Sequence, residues 1–157
     1  TELYNRRHFI EMADKEIARA MRHRRPLSLC IVDVDLFKPV NDRYGHISGD
    51  EVLRRIAGLL RGHARSDDLA ARIGGEEFAL LLAEIDAESA RAGGERSRSA
   101  VSHTAFVLNG EPHAVTVSIG VAALTPARSS RSALMAAADQ ALYRAKHEGR
   151  NRVAHEP

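Results

Sequence analysis

The chain of 157 residues is long enough for one domain with a sizeable core, and its 44% hydrophobic and 28% charged residues are typical of a globular protein. A net charge of +2 suits an anionic ligand, but no basic run alternates with aromatic residues, so we expect no nucleic-acid partner. No apolar stretch is long enough to cross a bilayer, and we expect no membrane contact by this domain. The single cysteine, Cys30, lies in an apolar run, which predicts a buried thiol in a cytoplasmic protein without disulfides.

Apolar residues recur with helical or strand periodicity along the chain. Residues 27–34 are apolar almost throughout, which predicts a buried central strand. Gly74-Gly75 predicts a tight two-residue turn, because paired glycines supply the positive φ values that such turns need. Asn109-Gly110 predicts a second hairpin, and the alternation after residue 115 predicts a strand with one buried and one polar face. The expected elements are helices over 5–23, 39–44, 47–60, 86–101 and 132–147, and strands over 27–34, 69–73, 78–82, 106–108 and 115–121.

Helices that interleave with antiparallel hairpins indicate an α+β fold around one sheet. No linker, internal repeat or low-complexity segment divides the chain, so we expect residues 1–157 to form a single domain. The sequence begins abruptly at Thr1, and we expect it to be the C-terminal part of a longer protein.

Four carboxylates stand at the ends of predicted strands. Asp33 and Asp35 close the central strand, where a spacing of two directs both to one face, and Glu76 and Glu77 follow the glycine pair. If the central strand pairs with the hairpin, at least one Asp and one Glu meet at one edge of the sheet. Clustered carboxylates repel unless a cation neutralises them, and hard oxygen ligands favour two Mg²⁺ ions, or Mn²⁺, together with phosphate groups. The alternative is that these acids are solvated strand ends.

Basic groups follow the acids in the chain. The backbone N–H groups of Leu36, Phe37 and Lys38 can form an anion-binding concavity directly after the central strand. Lys146 and Arg150 lie four residues apart at the end of the last helix. They form either a clamp for a triphosphate or only a favourable complement to the helix dipole.

The motifs together resemble the GGDEF domain family of diguanylate cyclases, and the resemblance covers essentially the whole chain. A glycine pair or a D-x-D alone is a weak signal, whereas so many motifs in one order are specific. The matching stretches are Asn5-Arg6-Arg7, the D-x-D-x-F-K-x-x-N-D run from Asp33 to Asp42, Gly45-His46 with Gly49-Asp50, the signature Gly74-Gly75-Glu76-Glu77-Phe78, Ser118-Ile119-Gly120, and the run from Ala138 to Asn151.

The resemblance implies an enzyme that condenses two GTP molecules into cyclic di-GMP and releases two pyrophosphates. It implies a homodimer, because each site holds one GTP, and an upstream sensory domain in the full-length protein. The implied fold is a central five-stranded, mainly antiparallel sheet surrounded by helices, similar to nucleotidyl cyclases and polymerase palm domains, with a ferredoxin-like core.

The resemblance also implies roles for individual residues. Asp33, the Val34 carbonyl and Glu76 hold two Mg²⁺ ions, with Glu77 as a weaker candidate. Glu76 is in addition the candidate base for the ribose 3′-hydroxyl. The implied substrate-binding residues are Asn41 and Asp50 at the guanine edge with His46 nearby, Lys38 with Leu36 and Phe37 at the transferring phosphate, Lys146 and Arg150 at the terminal phosphates, and Gly75, which leaves room for the nucleotide.

Arg65 and Asp68 precede the signature and lie three residues apart, which by itself describes a surface ion pair. The resemblance implies instead an R-x-x-D inhibitory site for cyclic di-GMP, which is then both product and inhibitor. There Arg65 binds guanine or phosphate, and Asp68 accepts hydrogen bonds from the guanine edge. Arg96 stands where some family members have a secondary arginine for this site.

The chain departs from the commoner family pattern at Leu36, Pro39 and Glu76, and none of these departures removes a ligand. Two alternatives to an active cyclase stay open. One is a domain that only senses cyclic di-GMP through Arg65 and Asp68, and the other is a scaffold for protein interactions. The intact set of expected catalytic and guanine-binding residues argues against both.

Overall fold

Five helices and seven strands interleave within residues 3–156, which the computed structural model describes. In chain order they are α1 (Arg6–His23), β1 (Leu27–Val34), α2 (Phe37–Tyr44), α3 (His46–His63), β2 (Leu69–Arg72), β3 (Glu77–Ala83), α4 (Ala87–Ser102), β4 (Phe106–Leu108), β5 (Glu111–His113), β6 (Val117–Ala123), α5 (Arg131–His147) and β7 (Val153–His155).

The main sheet has five strands in the order β2-β3-β1-β6-β7. Neighbouring strands are antiparallel except β6 and β7, which are parallel. Strands β4 and β5 form a separate two-stranded hairpin. The predicted α+β fold with a five-stranded, mainly antiparallel sheet is therefore confirmed.

Strand β1 is buried on both faces because helices cover the sheet from two sides. Cys30 and Val34 pack in a cluster with residues of α2, α3 and α4, whereas Leu29 and Ile31 pack with residues of α1 and α5. Cys30 is 1% exposed, and burial together with the charge of Asp68 raises the pKa of its thiol to about 12. The buried thiol expected from the sequence is thus confirmed.

Helices begin where the sequence offers a capping side chain. The side chains of Asn5, Asp86 and Ser130 each accept a hydrogen bond from a backbone N–H in the first turn of α1, α4 and α5. Helix α2 begins two residues before its predicted start, because Pro39 fits a first turn, where its missing N–H has no partner to lose. No helix in residues 3–156 combines the length and the apolar composition needed to cross a bilayer.

The second predicted hairpin is correct at its turn and wrong in its returning strand. Asn109 and Gly110 connect β4 to β5, and both residues have positive φ. Residues 117–123 belong instead to β6, which pairs with β1 in the main sheet. Strand β6 is buried on both faces, so the expected polar face was also wrong.

Helix α5 approaches β6 most closely at Gly120. A Cβ atom on Gly120 would lie 2.1 Å from the Ala138 carbonyl oxygen and 2.4 Å from the Leu142 nitrogen, both backbone atoms of α5. Only glycine therefore allows this contact. Lys146 lies one turn beyond Leu142, so the contact also helps to fix how far Lys146 reaches over the sheet.

Candidate active site

The end of β1 and the start of β3 bring three of the predicted acids together at what we call the carboxylate edge (Asp33, Glu76 and Glu77). Asp33 is opposite Glu77 in the antiparallel ladder, and the Val34 N–H donates to the Glu76 carbonyl over 3.1 Å. The Asp33 side chain is 11% exposed, and both glutamates are half-buried. The structure thus places three carboxylates and the Val34 backbone at the signature loop.

Burial and mutual repulsion disfavour the ionised forms of these acids. Burial raises the pKa of Asp33, although Lys146 opposes that shift. Burial and the charge of Asp33 raise the pKa of Glu76. Burial raises the pKa of Glu77 as well, together with Asp33, Asp139 and Glu76. A cation bound at this edge would relieve the repulsion.

Lys146 and Arg6 bring positive charge to the edge from two helices. Lys146 Nζ lies 3.0 Å from Asp33 Oδ1. Arg6 donates to the Ile73 carbonyl over 3.3 Å. Burial raises the pKa of the nearby Asp139, and the charge of Arg6 opposes that shift in part. Asp139 was not predicted as a neighbour of the acids, and its only sequence signal is its place in the matched run that ends at Asn151.

The signature loop is not the two-residue turn expected from its glycines. Neither Gly74 nor Gly75 has a positive φ, and the N–H groups of Ile73 and Gly74 both donate to the Glu77 carbonyl, over 2.9 and 3.3 Å. The Arg72 guanidinium holds the loop by donating to the carbonyls of Gly74 and Gly75 over 3.2 and 2.6 Å. This role of Arg72 was not predicted. A Cβ on Gly75 would meet no atom within 4 Å, so the space beside the loop is open.

Asp35 serves a different purpose from Asp33, because β1 ends before it. Its carboxylate is buried and accepts hydrogen bonds from Thr116 Oγ1 at 2.8 Å, Ser118 Oγ at 2.7 Å and the Asn151 N–H at 3.0 Å. It therefore joins the end of β1 to β6 and to the segment after α5. Of the two aspartates, only Asp33 belongs to the carboxylate edge.

The start of α2 presents backbone N–H groups next to this edge. Leu36 has a φ of 53° and is 58% exposed, and the right-handed residues Phe37 and Lys38 follow it. A left-handed residue before a helix turns successive N–H groups into a concave row, and first-turn N–H groups have no partner within their helix. The Lys38 ammonium is exposed and pairs with Asp42 at 2.9 Å.

The junction of α2 and α3 carries the residues expected at the guanine edge. His46 begins α3 and Asp50 lies one turn further along it; both are exposed, whereas Asn41 is partly buried on α2. The Asn41 Oδ1 atom is buried, and within residues 3–156 it has no hydrogen-bond partner. An unsatisfied buried oxygen next to exposed polar groups requires a structural explanation.

Arg150 lies beyond the last helix, because α5 ends at His147. It has a left-handed φ of 63°, and its N–H donates to the Ala145 carbonyl over 3.0 Å. Its side chain is exposed. Lys146 and Arg150 therefore lie at the same end of α5 but on different parts of the backbone, with Lys146 directed to Asp33.

A separate cavity of about 170 Å³ lies between α3, β3 and α4, and we call it the RxxD cavity (His63, Arg65, Asp68 and Arg96). The Asp68 side chain is 3% exposed and accepts from the N–H groups of Arg65 and Ala83 over 2.9 and 3.3 Å. Arg65 is 56% exposed and donates to the Ala83 carbonyl over 2.6 Å. Asp68 thus shapes the loop that presents Arg65. His63 was not predicted, although it lies only two residues before Arg65.

The oxygen donors at the carboxylate edge fit a hard divalent cation. Asp33, Glu76 and the Val34 carbonyl offer only oxygen, and Mg²⁺ commonly takes one or two carboxylates together with water and substrate phosphates. In the part of the chain that is described, no group of three or more His, Cys, Asp or Glu side chains is arranged to hold a metal by itself. The edge therefore suits a cation that shares its ligands with a phosphate group.

Comparison with known proteins gives one consistent result. Residues 1–152 match the family described as "Diguanylate cyclase, GGDEF domain". The chain is 43% identical to diguanylate cyclase DgcP of Pseudomonas aeruginosa over 98% of its own length and 23% of that protein. It is 43% identical to diguanylate cyclase DosC of Escherichia coli over 98% of its length and 33% of that protein. The chain thus spans no more than about a third of these relatives.

Two solved structures show the same fold. The active GGEEF domain of a diguanylate cyclase from Vibrio cholerae has a TM-score of 0.94 at 34% identity, over 99% of both chains. The GGDEF domain of DgcB from Caulobacter crescentus, solved in complex with c-di-GMP, has a TM-score of 0.95 at 37% identity, over 99% of this chain and 90% of that one.

Fold and site together define an α+β domain with an acidic edge suited to a cation and a phosphate. The chain belongs to the GGDEF domain family of diguanylate cyclases.

Proposed function

We propose that this chain is the catalytic domain of a diguanylate cyclase, which condenses two GTP molecules into cyclic di-GMP and releases two pyrophosphates. The carboxylate edge is the observation that supports this proposal most strongly. Burial raises the pKa of both Asp33 and Glu76, and Lys146 lies 3.0 Å from Asp33. Such an edge, in a chain 43% identical to two diguanylate cyclases, is suited to a metal-bound triphosphate.

Asn41 and Asp50 recognise the guanine, with His46 beside them. An ionised carboxylate only accepts hydrogen bonds, so Asp50 suits the N–H groups of the guanine edge, while an amide both donates and accepts. These residues lie at one helix junction, which keeps the base away from the acids.

The phosphates are bound by backbone and side-chain donors. The N–H groups of Leu36, Phe37 and Lys38 face the transferring phosphate, and the Lys38 ammonium stabilises the charge that develops there. Lys146 and Arg150, at the end of α5, hold the terminal phosphates. The open space beside Gly75 accommodates the nucleotide.

Asp33, the Val34 carbonyl and Glu76 would hold two Mg²⁺ ions, or Mn²⁺, with Glu77 in a weaker position. Bound there, the ions would supply the charge that neutralises the phosphates and favours ionisation of the attacking ribose hydroxyl. Glu76 accepts the proton of the ribose 3′-hydroxyl, whose oxygen forms the new bond to phosphorus as pyrophosphate leaves.

Each site holds one GTP, so the attacking hydroxyl belongs to the GTP of a second subunit, and turnover requires a homodimer. In the full-length protein, an upstream sensory domain brings the two sites face to face in the cytoplasm. The product binds in the RxxD cavity, where Arg65 and Arg96 face the ligand, and slows further turnover.

The direct test incubates the protein with GTP and Mg²⁺ and measures cyclic di-GMP by chromatography. Since the reaction needs two subunits, the same chain fused to a parallel coiled coil is assayed beside it, and faster synthesis is expected in the fusion. Absence of product in both would overturn the proposal. Binding of cyclic di-GMP without synthesis would identify the chain as a sensor of that nucleotide instead.

A further inference from the structure

Gly49, in the first turn of α3, leaves a notch that the side chain of Asn41 fills. A Cβ atom on Gly49 would lie 1.8 Å from Asn41 Oδ1 and 2.9 Å from Asn41 Cγ, distances that no real contact allows. The notch also has Phe37 on one side, with its Cζ 3.1 Å from the same position. Gly49 itself is buried.

The notch is a local feature of this helix junction and not a general property of α3. Gly58 and Gly62 lie on the same helix, and a Cβ on either would meet nothing within 4 Å. Glycine lowers the stability of a helix relative to alanine, so its use at position 49 has a cost. The space that glycine leaves is occupied by Asn41 Oδ1, which has no hydrogen-bond partner in the described part of the chain.

Burial of Oδ1 in the notch determines which part of the Asn41 amide meets a ligand. Among residues 3–156, Oδ1 but not the amide nitrogen of Asn41 is a buried atom without a partner, so the nitrogen is the part of the amide left to meet a ligand. Asn41 is thereby presented as a donor on α2, while the carboxylate of Asp50 on α3 is an acceptor. A guanine base offers acceptors and N–H donors side by side, which complements such a pair.

We propose, on the basis of the function proposed above, that Gly49 is a positioning residue for base recognition. The space above its Cα holds the Asn41 amide in the single orientation that meets the guanine of GTP. Gly49 touches no substrate, and it acts only through Asn41.

Gly49→Ala is expected to weaken the binding of a guanine nucleotide while the domain still folds. The added methyl group clashes chiefly with the flexible end of Asn41, which can rotate out of the notch, and the Phe37 ring at 3.1 Å needs to yield by only a few tenths of an ångström. The helices can therefore keep their places, and alanine favours the helix. The displaced amide then no longer donates to the base. We expect the affinity for a guanine nucleotide to fall about tenfold, which is the effect of losing one hydrogen bond.

The experiment titrates GDP, which carries the base but has no pyrophosphate to lose, into five proteins. These are the wild-type chain, Gly49→Ala, Asn41→Ala, the double variant and the matched control Gly58→Ala. The control should bind like wild type. Gly49→Ala and Asn41→Ala should each bind about tenfold more weakly, and the double variant should bind no more weakly than Asn41→Ala, because both changes remove one interaction.

Kinetics give a second readout that general disruption of the fold would not reproduce. The base contact is the same in substrate and transition state, so Gly49→Ala should raise KM for GTP about tenfold and leave kcat near that of Gly58→Ala. If Gly49→Ala melts early, the double variant, which lacks the clashing amide, should regain the stability of Asn41→Ala, and its comparison with Asn41→Ala remains decisive.

Unchanged GDP binding in Gly49→Ala would overturn the inference, as would additive losses in the double variant. Neither result affects the proposed function. Failure of the wild-type chain to bind GDP at all would overturn the proposed function and this inference together, and that outcome is visible before any variant is made.

Discussion

Strand β3 connects two regions in which buried acids have opposite surroundings. At its start, Glu76 and Asp33 share the carboxylate edge, where burial raises the pKa of each. Roughly 20 Å away at its other end, Asp68 is only 3% exposed but accepts from two backbone N–H groups and lies 3.6 Å from the Arg65 guanidinium. Burial alone therefore does not make an acid a ligand. An acid whose oxygens accept hydrogen bonds from backbone N–H groups shapes a loop, whereas an acid with few hydrogen-bond donors around it is available to bind a cation.

The largest effect on this contrast is expected from Glu76→Gln. The amide keeps the size of the side chain but removes the charge that binds a cation and accepts a proton. We expect cyclic di-GMP synthesis to fall by roughly 10³-fold or more. Because burial disfavours ionised Glu76, thermal unfolding should show a variant at least as stable as wild type.

The matched control for that change is Glu11→Gln, an exposed acid on α1 that pairs with Arg7. It should alter neither synthesis nor melting temperature. Wild-type activity in Glu76→Gln would remove Glu76 from the catalytic set.

Removal of Asp68, the acid in the RxxD cavity, should lower stability, in contrast with the change at Glu76. Asp68→Ala leaves the N–H groups of Arg65 and Ala83 without their acceptor, so we expect a loss of about 2 kcal/mol in the free energy of unfolding. Denaturant titration measures this loss, with the exposed neighbour Asp67→Ala as control. Equal stability of the two variants would show that Asp68 does not hold the loop.

Arg65→Ala sharpens the contrast within the cavity, since it removes the exposed guanidinium but keeps the backbone N–H that Asp68 accepts from. The loop should persist, and cyclic di-GMP should inhibit synthesis at least about tenfold more weakly, because a bidentate donor is lost. Initial rates at increasing product concentration measure the effect. Arg91→Ala, an arginine on α4 that pairs with Glu88, should leave inhibition unchanged. Undiminished inhibition in Arg65→Ala would exclude Arg65 from the inhibitory site.

The smallest expected effect is on the pH dependence of stability without added Mg²⁺. The folded pKa of Glu76 is raised, so its favourable contribution is complete below the unfolded value of about 4.3 and is lost as pH rises through the folded value. Glu76→Gln should therefore gain stability over wild type across that window, and the gain should grow as pH rises. Melting curves at pH 4 to 7 measure the gap, and Mg²⁺ should narrow it by binding the wild-type fold. A gap that shrinks with rising pH would contradict the assigned direction.

The sequence was sufficient for the framework of the fold and for the identity of the acids. The apolar run of β1 and the acids at its end predicted the central strand and the region of the site. Periodicity did not distinguish Asp33 from Asp35, because both follow the same strand pattern. Their roles differ because Thr116, Ser118 and the Asn151 N–H, all distant in the chain, donate to Asp35. Asp33 faces Lys146 instead.

The errors have the same kind of cause. The alternation after residue 115 predicted a polar face that would include Ser118, but Ser118 is fully buried and its hydroxyl donates to the buried Asp35. The glycines of the signature predicted a positive-φ turn, but the side chain of Arg72 holds the loop in another shape. In both cases side-chain hydrogen bonds that the periodicity of the sequence does not reveal decided the local structure.

The contact between Gly120 and α5 sets the distance between helix and sheet, and that distance affects the chemistry of the site. Because the backbone of α5 rests directly on β6, a methyl group at position 120 would act as a wedge between helix and sheet. Lys146 would then be lifted from Asp33 without any charged residue being changed. The electrostatic balance at the carboxylate edge thus depends on the spacing between α5 and the sheet, which is this short only because Gly120 has no Cβ atom.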